Sequence, residues 1–196
     1  MPGKSHNLCG KEFIEDLNKI VKPTSCFDVG VGEGKMGKLV KKNFPECNTV
    51  GFEIFNEYIL KEKENIQPYY DYIQQADFYE WIKKNNDWSV DLIIFGDVLE
   101  HFMKSQVIDI LDLCKTRCKW IMALIPLDYQ QNTIAGNIHE GHLSEITLRD
   151  LMNYNIFHYS KRNADIKTWK ITYYLIRGHI ALNEKAKFKH KFPENH

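Results

Sequence analysis

No window among the 196 residues is apolar for the length a bilayer span requires, and Met1 to Cys9 holds no run of signal-peptide type. The chain is therefore expected to be soluble, intracellular and cytoplasmic. A disulfide framework is equally unsupported. The five cysteines, Cys9, Cys26, Cys47, Cys114 and Cys118, are odd in number and form no C-x-x-C pair, which suits reduced thiols. Cys114 and Cys118 are spaced as one helical turn, which a metal clip or redox pair would also use; we read them as ordinary helix residues. Charge of one sign is missing too. Lys+Arg 26 balance Asp+Glu 26, so no bulk field draws the protein toward nucleic acid or an anionic membrane. There is no internal repeat. What is present, 43% hydrophobic and 13% aromatic residues, suffices for one core, so a single domain is expected over 1–182, with a frayed lysine-rich tail at 183–196.

The most informative stretch is Cys26-Phe27-Asp28-Val29-Gly30-Val31-Gly32-Glu33-Gly34-Lys35-Met36-Gly37. Ser25 to Val29 has strand character, and Met36, Leu39, Val40 and Phe44 recur at helical spacing, so the glycines occupy a strand-to-helix turn. Glycine there admits positive φ and lets a ligand approach main-chain N–H groups. Gly32 to Gly37 formally matches the dinucleotide pattern G-x-G-x-x-G, with Glu53 about 20 positions on, where a ribose-binding acid belongs. Asp28 argues against a pyrophosphate, which a buried aspartate would repel. An ammonium-bearing cofactor is favoured by it, directly or through water.

The spelling D-x-G-x-G-x-G from Asp28 through Gly30 and Gly32 to Gly34 resembles the first motif of the class I S-adenosylmethionine-dependent methyltransferases. Asp97-Val98-Leu99-Glu100-His101, after the apolar strand Val90 to Phe95, resembles the fourth motif of the small-molecule members. Glu140-Gly141-His142-Leu143-Ser144 is similar to an E-x-H-L-S loop found in a subset of them. The resemblance covers about 25–182. It implies S-adenosylmethionine as cofactor, with Asp28, Gly30, Gly32, Gly34, Glu53, Ile54, Asp77, Phe78, Asp97 and Val98 around it. Glu53 would accept the ribose hydroxyls, Asp77 the adenine amino group, and Ile54 and Phe78 would line the ring. Glu53 alone also reads as a solvated strand-end charge, and Asp77 as the N-cap of the next helix.

Strands are expected at Ser25 to Val29, Asn48 to Glu53, Tyr72 to Ala76, Val90 to Phe95, Lys119 to Leu124 (stopped by Pro126), Ile156 to Ser160 and Thr168 to Leu182. Helices fill the gaps, with Ser105 and Thr147 as caps, and one from Lys11 to Val21 either covers the cofactor or packs on the sheet. The fold class is α/β: a doubly wound, seven-stranded, mostly parallel sheet with an antiparallel last strand and helices on both faces.

Methyl transfer from a sulfonium needs alignment and, for a protonated acceptor, a nearby base. The loop from Leu127 to Ile146 is longer than compact domains usually leave irregular, and is read as functional. His142 and His139 are the preferred catalytic bases. Tyr129 either orients the acceptor or packs the loop, and His101 is either a third candidate base or a histidine that hydrogen-bonds the loop and braces Asp97. No third ligand accompanies His139 and His142 in any recognisable pattern, so no metal is expected. The acceptor is read as a small hydrophilic molecule, such as a sugar, sugar nucleotide or small amine phosphate, methylated on O or N. A methyltransferase of RNA or protein, a non-catalytic cofactor-binding subunit and an NAD-dependent oxidoreductase are the alternatives. Oligomeric state is open.

Overall fold

The structure, a computed structural model, describes residues 11–20, 22–132, 137–163 and 170–186. Helix-period and strand-period segments alternate along the chain, and the elements follow them. They are α1 (Lys11–Ile20), β1 (Ser25–Val29), α2 (Lys35–Asn43), β2 (Asn48–Glu53), α3 (Asn56–Ile66), β3 (Tyr72–Gln75), α4 (Phe78–Lys84), β4 (Val90–Gly96), α5 (Lys104–Lys115), β5 (Cys118–Leu127), β6 (Ile156–Asn163) and β7 (Lys170–Arg177). The strands form one sheet ordered β3-β2-β1-β4-β5-β7-β6. β1 to β5 are parallel, and β7 is antiparallel to both β5 and β6. This is the expected α/β class.

The pleat sorts each strand onto two cores. Phe27, Val29, Ile93, Phe95 and Ile121 face Trp81 and Ile82 of α4 and Val107, Ile110 and Leu111 of α5. Cys26, Leu92, Ile94, Trp120 and Met122 face Ile14 and Leu17 of α1 and Met36 and Val40 of α2. Both faces are thus covered, which is why β4 and β5 are apolar but for Asp91 and Lys119 and are buried along their whole length. Phe27, Phe52 and Phe78 meet edge to face at centroid distances of 5.0 Å, joining β1, β2 and α4.

The chain winds from β1 through β2 to β3, then returns to place β4 on the other side of β1. Loops leaving β1 and β4 therefore diverge, and a crevice opens beyond their carboxyl ends. The opposite end of the sheet is closed by charge. Lys119 Nζ lies 2.9 Å from Asp91 Oδ1, and Thr24 donates to Asp91 Oδ2 from its N–H at 2.6 Å and its hydroxyl at 2.8 Å. Both members of the pair are buried.

Several boundaries differ from expectation. β5 runs through Pro126 to Leu127, because β4 ends at Gly96 opposite Leu124 and nothing on that side needs the missing N–H. β6 extends to Asn163, paired along its length by β7. β7 ends at Arg177, leaving Leu182 exposed outside the sheet; Thr168 and Trp169 lie outside the described residues. Ser105 sits within the first turn of α5, and Gln106 Oε1 instead accepts the Met103 N–H at 3.0 Å. At Thr147 the expected cap is seen, its N–H and hydroxyl both donating to Asp150 Oδ2 at 2.8 Å. Cys114 and Cys118 do not share a helix: α5 ends at Lys115, and Cys118 opens β5. The described side chains Ile14 and Leu17 put α1 on the sheet. Among the described residues no helix is long and apolar enough to cross a membrane.

Candidate functional site

A cavity of about 530 Å³ opens at the carboxyl ends of β1, β2 and β4, roofed by the segment that follows β5. Its size is that of a pocket for a nucleoside-sized ligand. Gly30 and Gly32 line it where β1 turns toward α2, and Gly30, Gly32 and Gly34 all take positive φ, at 77°, 49° and 75°. Gly30 is held there by packing as well as by backbone: a Cβ at this position would fall 2.4 Å from Val98 Cγ2.

Glu53 ends β2 inside the cavity, and its Oε2 accepts the Gly32 N–H at 3.0 Å while Oε1 accepts that of Phe55 at 2.9 Å. Burial raises its pKa, and these N–H groups oppose the rise. The spacing read as a ribose acid is thus also a direct tether between the second strand tip and the glycine loop. Ile54, Asp77 and Phe78 line the same wall. Asp77 N-caps α4, its Oδ1 accepting from Tyr79 N at 2.9 Å and Glu80 N at 3.3 Å. Phe78 is mostly spent on the core against Phe52, Trp81 and Phe95. Asp97 and Val98 follow β4 into the cavity, Asp97 at a φ of 56°, unusual for a residue other than glycine.

Asp28 and Gly34 do not line the cavity. Asp28 points to the far side of β1, where its Oδ2 accepts the Tyr70 hydroxyl at 2.5 Å. Tyr70 Oη in turn accepts the Gly37 N–H at 3.2 Å. A Cβ on Gly37 would lie 2.3 Å from the tyrosine ring, so this last glycine of the loop makes room for the brace. Burial pushes the Asp28 carboxyl up to about 7, against the lowering effect of the Tyr70 bond. The reading of Asp28 as a group facing the cofactor is corrected accordingly: it fixes the loop from behind.

Across the cavity stand Tyr129, Gln131, Asn137, His139, Glu140 and His142 from the segment after β5. Asn137 Oδ1 accepts the His139 N–H at 3.0 Å, and Glu140 is held by the Tyr58 hydroxyl at 2.8 Å and the Gln131 amide at 3.3 Å. His142 Nδ1 meets the Tyr129 carbonyl at 3.0 Å, and the two rings are edge to face at 5.3 Å. Tyr129 and His142 are thus in contact, and His139 lines the same cavity. His101 joins them, where the sequence placed it outside the pocket. Its Nδ1 meets the Gly141 carbonyl at 3.1 Å, and its ring lies 5.1 Å from that of His142. Burial lowers the pKa of both histidines, which favours the neutral rings.

Glu100 belongs to the fourth motif, and its sequence position alone gives it no role. A short 3₁₀ turn, Leu99–His101, carries it into the cavity wall, where it is 1% exposed. Its Oε1 is 4.0 Å from His142 Nε2, its Oε2 is buried with no hydrogen-bond partner, and burial beside Asp97 raises its pKa well above the carboxylate range. The backbone carbonyl of Glu100 accepts from Leu143 N at 2.8 Å and Ser144 N at 3.2 Å, which docks the E-x-H-L-S segment onto the fourth motif. Glu100, His101 and His142 form a group of possible metal ligands whose donor atoms lie within 4.8 Å of one another. The signal for this was the pairing of the two motifs, each read separately from sequence. Tyr58 has no signal of its own in the sequence, and Gln131 stands out there only as part of the long loop.

No family model matches the sequence, and no curated protein matches it. Solved structures do match in shape. The N-methyltransferase NodS from Bradyrhizobium japonicum WM9, in complex with S-adenosylhomocysteine, superposes with a TM-score of 0.62 at 12% identity, over 85% of this chain and 86% of that one. The N-terminal domain of EvdMO1, in the presence of S-adenosylhomocysteine and D-fucose, gives 0.60 at 11% identity, over 86% and 82%. An O-methyltransferase family protein from Burkholderia thailandensis gives 0.55 at 9% identity over 85% of this chain, which spans about half of that protein's length, at 55%. At such identities the likeness speaks for architecture alone: this chain has the fold of the class I S-adenosylmethionine-dependent methyltransferases.

Proposed function

We propose that the protein is an S-adenosylmethionine-dependent methyltransferase acting on an oxygen or nitrogen of a small hydrophilic acceptor, of the sugar, sugar-nucleotide or small amine phosphate kind. One observation carries this reading: Gly30, Gly32, Glu53, Ile54, Asp77, Phe78, Asp97 and Val98, from four successive strand ends, line one cavity. The donor set fits the cofactor. Carboxylates at the ends of β2, β3 and β4 suit ribose hydroxyls, an adenine amino group and an ammonium, and glycine backbone borders the space between them.

When bound, the cofactor supplies an activated methyl carbon on a sulfonium. The chain's own residues do the rest by position. Gly30 and Gly32 let the ligand lie against main chain, Glu53 and Asp77 select its sugar and base, and Asp97 offers charge for the amino acid end. Asp28 holds the loop in register through Tyr70 and Gly37. His139 and His142, on the opposite wall, are the candidates for proton acceptor, and the polar side chains of Tyr129, Gln131 and Glu140 beside them support a polar acceptor site. That polarity favours a hydrophilic acceptor, and EvdMO1, seen with D-fucose, is a precedent for a sugar beside this fold. A neutral overall charge argues against a polyanionic partner.

Calorimetric titration with S-adenosylhomocysteine is the test. Single-site binding is expected, weakened by Glu53→Gln. Absence of binding heat at several temperatures, with the protein folded by circular dichroism, would remove the proposal.

A further inference from the structure

We propose that Glu100, His101 and His142 bind one divalent first-row transition ion at the acceptor end of the cavity. The inference deepens the methyltransferase reading, but the site itself is argued from three independent features.

The first is the state of the ring nitrogens. His101 Nδ1 and His142 Nδ1 each meet a backbone carbonyl, of Gly141 at 3.1 Å and Tyr129 at 3.0 Å. A carbonyl only accepts, so each Nδ1 carries the proton; His142 Nε2 then keeps its lone pair, while the His101 ring also has the Asp97 carbonyl beside it. Backbone carbonyls holding the far nitrogen are how metal-binding histidines are oriented. The second is Glu100. Its Oε2 is buried without a partner, a costly arrangement for a carboxyl group unless a cation or donor reaches it. The third is the charge of the cavity. Glu53, Asp77, Asp97, Glu100 and Glu140 all line it, and no lysine or arginine does among the described residues. Glu100 therefore has no side-chain cation at hand among the described residues that line the cavity.

Geometry suits an ion after slight closure. An ion with bonds of about 2.1 Å in tetrahedral array spaces its ligand atoms by about 3.4 Å. Here Glu100 Oε1 and His142 Nε2 are 4.0 Å apart, and the three donor atoms fall within 4.8 Å. Small rotations about χ angles complete the contraction, and Glu100 Oε2 has no hydrogen bond to give up. Two imidazoles and one carboxylate select zinc, cobalt, iron or manganese over calcium. Three protein ligands leave positions for the acceptor.

An ion here makes the acceptor a hydroxyl. Its oxygen would bind the cation, lose its proton to His139, and form the new O–CH₃ bond as the C–S bond breaks and its electron pair stays on sulfur. His142 then positions the ion, and His139 remains the proton acceptor.

The experiment is a cobalt titration of the chelator-treated full chain, followed by visible absorption. One equivalent should bind with d–d bands of a nitrogen–oxygen site. Glu100→Gln and His142→Asn should each weaken binding at least tenfold. His142→Asn serves if Glu100→Gln proves unfolded by circular dichroism, since His142 lies on the roofing segment. Absent bands, or equal cobalt affinity in the wild type, Glu100→Gln, His101→Asn and His142→Asn, overturns the site. Titration with S-adenosylhomocysteine separates the two readings. Cobalt binding without cofactor binding keeps the ion and removes the methyltransferase; the converse removes only the ion.

Discussion

Replacing Asp28 by Asn should stabilise the protein above neutrality, although Asp28 belongs to the most recognisable motif in the chain. The residue is 1% exposed, its Oδ2 accepts from Tyr70, and its Oδ1 has no partner. Burial moves its pKa from 3.8 in the unfolded chain to about 7 in the folded one. A raised acid contributes its full stability when protonated in both states, and loses it as pH rises from the unfolded value through the folded one. At about 1.4 kcal/mol per pH unit, ionising this carboxyl in place costs about 4 kcal/mol by pH 8.5. Asn keeps the acceptor for Tyr70 and removes the charge, while its amide N–H groups inherit an unpaired site worth roughly 1–3 kcal/mol. The net gain at pH 8.5 is then roughly 1–3 kcal/mol. The pH dependence is the sharper readout: between about pH 5.5 and 8.5 the wild type should lose about 2 kcal/mol relative to Asp28→Asn. Urea unfolding followed by circular dichroism across that range measures it. A constant offset between the two proteins, or a mutant less stable at pH 8.5 than at pH 5.5 relative to wild type, would refute the reasoning.

Other outcomes follow from named contacts. Gly30→Ala meets Val98 and is forced to keep a φ of 77°, so it should cost roughly 2–4 kcal/mol in thermal unfolding and weaken S-adenosylhomocysteine binding more than tenfold in calorimetry. Unchanged melting would mean the loop relaxes freely. Lys119→Met leaves the buried Asp91 side chain without its cation and with Thr24 as its donor, and denaturant unfolding should report a loss of roughly 3–5 kcal/mol. A loss under 1 kcal/mol would show that water reaches the pair. Cys26, Cys47, Cys114 and Cys118 are buried with thiol pKa values raised by desolvation, that of Cys47 to about 12. Under native conditions a chromogenic disulfide reagent should modify these four at least tenfold more slowly than in denaturant, as peptide mapping would show.

Placing Glu100 in the wall and Asp28 behind it were matters the sequence left undecided. Strands β1, β2 and β4 were legible to within a residue, because buried parallel strands are mostly apolar and a glycine or acid marks their ends. Pro126 misled the reading of β5, since proline stops a strand only where a neighbour demands its N–H, and neighbours are a tertiary matter. The loop after β5 stands out in the sequence by its length, and described residues of it line the cavity.

Local pattern by itself determined the order of elements, the turn that needs glycine and the strand tips that present acids, since each of these is set by residues within a few positions of one another. Which way those side chains face was decided only on folding. Asp28 turns from the cavity because Tyr70, brought in from beyond α3, offers it a hydroxyl. Glu100, His101 and His142 converge because the Glu100 carbonyl binds the segment after β5, and no spacing rule relates residues joined only through the sheet between them.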